Sequence, residues 1–126
     1  MSADSRALLH DTLVWDNHAC MPLRPDDDRF LRELERPRRL GVNAVTLNIG
    51  FGSCPREQHL AMLDSFRAWV RARPEAYELV YTVADLDSAT AAGKLAVLFD
   101  VEGMAPLDDG DLDLVDRLRA LGVGWM

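Results

Sequence analysis

Short apolar runs and longer amphipathic stretches take turns along the chain. Leu13-Val14-Trp15, ending at Asp16 and followed by a break at Pro22, predicts a buried strand and then a loop. Residues 43–49 carry the β-branched positions Val45, Thr46 and Ile49 and run into Gly50-Phe51-Gly52, which predicts a second strand and a turn. Residues 79–83 are apolar again, and 95–101 form the most continuous apolar run. Continuity without alternation predicts a strand buried on both faces. Val123-Gly124-Trp125-Met126 opens one more strand.

Helical spacing fills the intervals. After a short helix at 5–10, residues 29–39 place Phe30, Leu31 and Leu34 on one face, with Asp26, Asp27 and Asp28 ahead of them as caps and Pro37 as a kink. Residues 56–73 set Leu60, Leu63, Phe66, Trp69 and Val70 at helical intervals and close at Pro74. A small helix is expected at 85–92, and another at 111–121 with Leu112, Val115 and Leu118 on its apolar face. Strand, helix, strand, helix with continuous apolar strands is the pattern of parallel βα units, hence an α/β fold. No GxGxxG follows a strand and no GxxxxGK[ST] occurs, so the phosphate cradles of nucleotide folds are missing. The remaining expectation is the N-terminal portion of a (β/α)8 barrel: one partial domain over 1–126, made of three βα units and the start of the fourth strand. Such a portion exposes a sheet edge, which implies either a longer chain around it or a partner on the edge.

Composition narrows the partners. The 126 residues include 14 basic and 21 acidic side chains, a net charge of −7, and 48% hydrophobic residues, which suits one globular unit and excludes a disordered chain. With that charge and no basic stripe, nucleic acid and an anionic membrane are not expected partners. Cys20 and Cys54 are too few and too far apart for a disulfide framework or a CxxC zinc site. No secretory apolar segment follows Met1 and no membrane-length apolar run occurs, so a cytoplasmic protein with free thiols is expected.

Polar residues that end or interrupt apolar strands carry the candidate chemistry, because burying them without a partner costs free energy. In Asp16-Asn17-His18-Ala19-Cys20, strict alternation sets Asp16, His18 and Cys20 on one side. Imidazole and thiolate are both zinc ligands, and a spacing of two lets His18 and Cys20 reach one ion. In Asp100-Val101-Glu102-Gly103 the apolar strand runs into a carboxylate at the catalytic end of a barrel strand, where Glu102 suits a metal ligand bridging two ions. Asn48-Ile49-Gly50-Phe51-Gly52 reads as a plain loop, His10 and His59 as surface or packing residues, and Cys54 has no assigned role.

Together these segments resemble the N-terminal part of the membrane dipeptidase family (renal dipeptidase-like, peptidase family M19), within the metal-dependent amidohydrolase barrels. The resemblance rests on Val14-Trp15-Asp16-Asn17-His18, where the family carries Asp-x-His-x-Asp, and on Gly41-Val42-Asn43-Ala44-Val45 with Asn48-Ile49-Gly50-Phe51-Gly52. Phe99-Asp100-Val101-Glu102-Gly103 and the closing Leu121-Gly122-Val123 complete it.

What the resemblance implies is zinc-dependent hydrolysis of dipeptides, with two ions in the complete family fold. His18 would ligate the first zinc, and Glu102 would bridge both and take part in catalysis. Cys20 stands where the family has its second aspartate and is a third candidate ligand, with Asp16 supporting the ligands from behind. The family's remaining zinc histidines lie beyond the fourth strand, so this chain alone is expected to be inactive. Two alternatives stay open: a non-catalytic half-barrel that associates with itself or a partner through its open edge, and a barrel hydrolase acting on another amide or ester.

Overall fold

The computed structural model describes residues 3–126; His10 lies outside the described side chains. Strands β1 (Trp15–Ala19), β2 (Ala44–Phe51), β3 (Tyr77–Leu79), β4 (Leu95–Glu102) and β5 (Val123–Trp125) alternate with helices. The α-helices are α1 (Ala3–Asp11), α2 (Glu35–Leu40), α3 (Arg56–Arg71), α4 (Val83–Ala91) and α5 (Asp113–Ala120). Every ladder is parallel: β1 pairs with β2, and β2 with β4. The far edge of β4 is shared end to end, β3 pairing with Leu95–Val97 and β5 with Phe99 and Asp100. The expected α/β architecture of parallel βα units is found, but with four strand–helix units and a fifth strand where three units and the start of a fourth strand were expected. Among the described residues no helix is long and apolar enough to cross a membrane.

Register divides the sheet into two chemically different faces. Val45, Leu47 and Ile49 of β2 and Val97, Phe99 and Val101 of β4 point to one side. There they pack against Leu31 and Leu34 of a 3-10 turn and against Met62, Leu63, Phe66, Trp69 and Val70 of α3. Each such side chain taken out of water contributes about 1.5–3 kcal/mol, and this layer is the main core. On the other side, α4 sets Leu86 and Ala89 over Ala44 and Ala96 near the starts of β2 and β4. Further along the same face come Thr46, Asn48 and Asp100, all buried and all polar.

Several local expectations change. β1 is an exposed edge strand, not a buried one, because β2 flanks it on one side alone among the described residues. Trp15 still anchors it, donating from Nε1 to Thr46 Oγ1 at 3.0 Å and tilting against Trp125 with ring centres 6.0 Å apart. Pro37 does not kink a long helix: it is the third residue of α2, where helix N–H groups are unbonded anyway. Asp28 makes no side-chain cap bond, and Asp27 pairs instead with Arg29 at 2.7 Å. α4 starts at Val83 because Thr82 and Asp85 cap each other reciprocally. In α5 the buried face is Leu114 and Leu118, one turn apart; Leu112 falls at the N-cap and is 70% exposed, and Val115 is exposed too.

One contact fixes the end of β2. Buried His59 in the first turn of α3 donates from Nδ1 to Pro55 O at 3.0 Å, and its ring sits so close to Gly50 that there is no room for a Cβ there. His59 is thus a packing residue. Gly50→Ala is expected to destabilise the fold by about 1–3 kcal/mol, the usual range for overpacking. Denaturant unfolding reads this as a lower midpoint; an unchanged midpoint would contradict the packing described.

Candidate metal centre

Asp100 and Asn48 face each other across the β2–β4 ladder, and each is 1% exposed. A buried carboxylate needs donors, and Asp100 has two. Asn48 Nδ2 donates to its Oδ1 at 2.8 Å, while the Asn48 carbonyl oxygen accepts from Gly50 N at 3.1 Å. On the other oxygen, Oδ2, sits His18 Nδ1 at 2.7 Å. With Asp100 as acceptor, Nδ1 carries the hydrogen and Nε2 is turned outward. Cys20 Sγ lies 3.5 Å from Nε2 and Glu102 Oε2 lies 3.7 Å from it. The hydrogen bond to Asp100, and then its charge, raise the pKa of His18 above the ordinary 6.5; Glu102 and Asp16 add to this and desolvation opposes it.

A bulge in β1 makes the meeting possible. Trp15 reaches Thr46 and His18 reaches Asp100, both on the same sheet face, although residues three apart point oppositely in a regular strand. Between Asp16 and Ala19 the register slips, three steps in β1 matching two in β2, from Val45 to Leu47. The extra residue turns His18 toward Asp100 and lets Ala19 pack into the core. The simple alternation expected for Asp16, His18 and Cys20 is therefore broken. Asp16 serves the backbone instead, its Oδ1 accepting from His18 N at 3.3 Å.

Of the residues expected at the site, His18, Cys20 and Glu102 are brought together around one nitrogen, and Asp16 stands beside them. Among the described residues, no group of three or more histidine, cysteine, aspartate or glutamate side chains is placed to hold a metal ion. Cys54 is a free thiol, half-buried after β2, and burial raises its pKa. Asn48 and Gly50 are not a plain loop but belong to the last part of β2, and Asn48 holds Asp100 by a side-chain hydrogen bond. The signal for Asn48 and Asp100 was a polar residue near the end of each of the two most apolar strands.

Residues 4–126 match the family model described as membrane dipeptidase, peptidase family M19. The chain belongs to that family. Solved structures with the same fold include an amidohydrolase from Pseudomonas aeruginosa, with TM-score 0.77 and 20% identity, covering 94% of this chain and 34% of that one. The probable dipeptidase PvdM from Pseudomonas aeruginosa gives TM-score 0.72, 22% identity and coverage of 95% and 35%. A third, dipeptidase AC, a metallopeptidase of family M19, gives 0.65, 18%, and 87% and 42%. This chain therefore spans well under half the length of these structures. Comparison with curated proteins gives no match.

In this M19 chain, Asp100→Asn is expected to lower the His18 pKa toward 6.5, because it removes the charge behind the imidazole while leaving an acceptor in place. The wild-type pair favours the protonated ring, so its contribution to stability is full below about pH 6.5 and fades as pH rises through the raised value. NMR titration of the His18 ring reads the shift; an unchanged pKa would contradict the clamp.

Proposed function

We propose that this chain supplies part of the metal site of a zinc-dependent dipeptidase-type hydrolase, with His18 Nε2, Glu102 and Cys20 as donors. The observation that carries the reading is the orientation of His18. A ligating histidine characteristically gives its other N–H to a carboxylate, which fixes the ring and raises its basicity, and Asp100 stands in that position at 2.7 Å.

The two donor separations measured from His18 Nε2 suit one ion, although the three side chains together do not form a ready-made metal-holding group. Zinc bonds of 2.0–2.3 Å in a tetrahedron put neighbouring donor atoms about 3.4–3.6 Å apart. The 3.5 Å from Nε2 to Sγ and the 3.7 Å from Nε2 to Oε2 lie close to that. Bound zinc would supply Lewis acidity toward a peptide carbonyl and make water acidic enough to attack it. Within that chemistry the chain's residues have separate tasks. Asp100, itself held by Asn48, keeps Nε2 aimed outward. Glu102, 62% exposed at the mouth of the strand, has two oxygens to share between ions if a second is present. Cys20, in place of the family's second aspartate, makes the donor set softer and less negative. Dipeptides are the proposed substrates of the complete enzyme. Two free thiols suit a reducing compartment, and the cytoplasm is the proposed location.

Structural and catalytic zinc sites use three or four well-placed protein ligands, and here the set is partial. The 126-residue chain is expected to bind zinc weakly through His18, to lose that binding in His18→Ala, and to hydrolyse no dipeptide above the level of that variant. Calorimetric zinc titration with a dipeptidase assay checks all three. Zinc binding unaffected by His18→Ala would overturn the assignment of His18. Stoichiometric zinc with dipeptide turnover would overturn the claim that the donor set is partial.

A further inference from the structure

Asp100 is gripped on both oxygens, but Glu102 is not. Its side chain is 62% exposed, with His18 Nε2 at 3.7 Å and no hydrogen bond of its own among the described residues. Where Glu102 points is therefore set by the backbone at the end of β4. The ladder is irregular there: two steps in β4, from Asp100 to Glu102, match three in β2, from Asn48 to Phe51. Gly103 follows at φ +97°, a left-handed conformation that turns the chain off the strand, and the 3-10 turn Ala105–Gly110 leads on toward α5. Arg56 holds this segment. Its Nε donates to Pro106 O at 2.8 Å and its Nη1 to Asp111 Oδ2 at 2.8 Å, so one planar guanidinium takes the middle and the far end of the loop.

Arg56 is an unfavourable residue for its place in α3. It is the first residue of the helix, where a cation opposes the macrodipole, and Glu57 beside it carries the charge that suits the position. The loop it binds accounts for it. Arg56 also stands just past residues 52–55, the loop that leaves β2 after Phe51, and Phe51 is the ladder partner of Glu102. The two loops that flank Glu102 are thus joined through one side chain. We propose that Arg56 is a positioning residue: by fastening the loop after β4 to the start of α3, it fixes the direction of Glu102 toward His18. The inference rests on Glu102 being a donor of the proposed metal site, and it assigns Arg56 no contact with an ion or a substrate. Pro106 and Leu107 are buried and tie the middle of the loop to the core, so removing Arg56 should loosen the loop without unfolding the chain.

The test compares the 126-residue chain with Arg56→Ala and Arg56→Lys by NMR. In Arg56→Ala, amide hydrogen exchange across residues 104–111 should accelerate by about tenfold or more, as expected when hydrogen bonds from a charged donor are lost. Ala96, whose N–H bonds to Asn43 O in the central ladder, should keep its protection, which reports an intact fold. The proton–proton contact between the His18 ring and the Glu102 side chain should weaken in step, and zinc affinity should fall by about tenfold, the low end for loss of a residue that orients a ligand. Lysine keeps a charge opposite Asp111 but lacks the fork, so Arg56→Lys should restore part of each effect. Faster exchange in the loop with an unchanged His18–Glu102 contact would reduce Arg56 to a structural tie and overturn the proposal. Unchanged exchange, or exchange that accelerates through α3 as well, would overturn it too. A wild-type chain that takes up no zinc would overturn the metal reading, while the His18–Glu102 contact in the variants would still decide whether Arg56 positions Glu102.

Discussion

Asp100 places a carboxylate in the interior of the most apolar strand of the chain, and the arrangement around it follows from its need for partners. An isolated buried charge costs several kcal/mol, so each of its oxygens must find a donor. One donor is available only if β2 pairs with β4 in the register that sets Asn48 opposite Asp100. The other is available only if β1 departs from regular alternation, so that His18 turns onto the Asp100 face. Gly50 completes the set: its N–H orients the Asn48 amide, and its lack of a side chain admits the His59 ring that packs α3 against the strand end. Sequence, register, bulge and packing thus converge on one geometry, a histidine whose outward nitrogen is fixed from behind.

The two sheet faces divide the work. Aliphatic and aromatic residues at alternate positions of β2 and β4 bury themselves under α3 and the 3-10 turn and supply the rigidity. The intervening positions carry small residues near the strand starts, under α4, and polar residues near the strand ends. Of the candidate residues, His18 and Glu102 lie on β1 and β4, and Cys20 follows directly on the end of β1. Membership of the M19 family agrees with this placement, since parallel barrels carry their chemistry at the C-terminal ends of the strands.

Much of this was legible in the sequence because its signals are local. The continuous runs at 43–49 and 95–101 marked the central strands, and the spacing of Leu63, Phe66, Trp69 and Val70 marked the helix that covers them. His18, Cys20 and Glu102 stood out as polar residues at strand ends. What escaped was non-local. The bulge in β1 depends on what Ala19 and His18 meet across the sheet, and no residue type announces it. Asn48 fell inside the strand run 43–49 but was also read with the glycines after it as a plain loop; its hydrogen bond to Asp100 appears only when β4 lies alongside. The buried face of α5 was read correctly only at Leu118: Leu112 precedes the helix, Val115 is exposed, and Leu114 is buried in their place.

The orientation of the His18 ring is the point on which the proposed metal site depends. A long-range proton–nitrogen correlation spectrum of the metal-free chain, recorded above the His18 titration, reports which ring nitrogen bears hydrogen. The account predicts hydrogen on Nδ1, held by Asp100, and a bare Nε2 facing Cys20 and Glu102. A His18 ring protonated on Nε2, with Nδ1 bare, would contradict it.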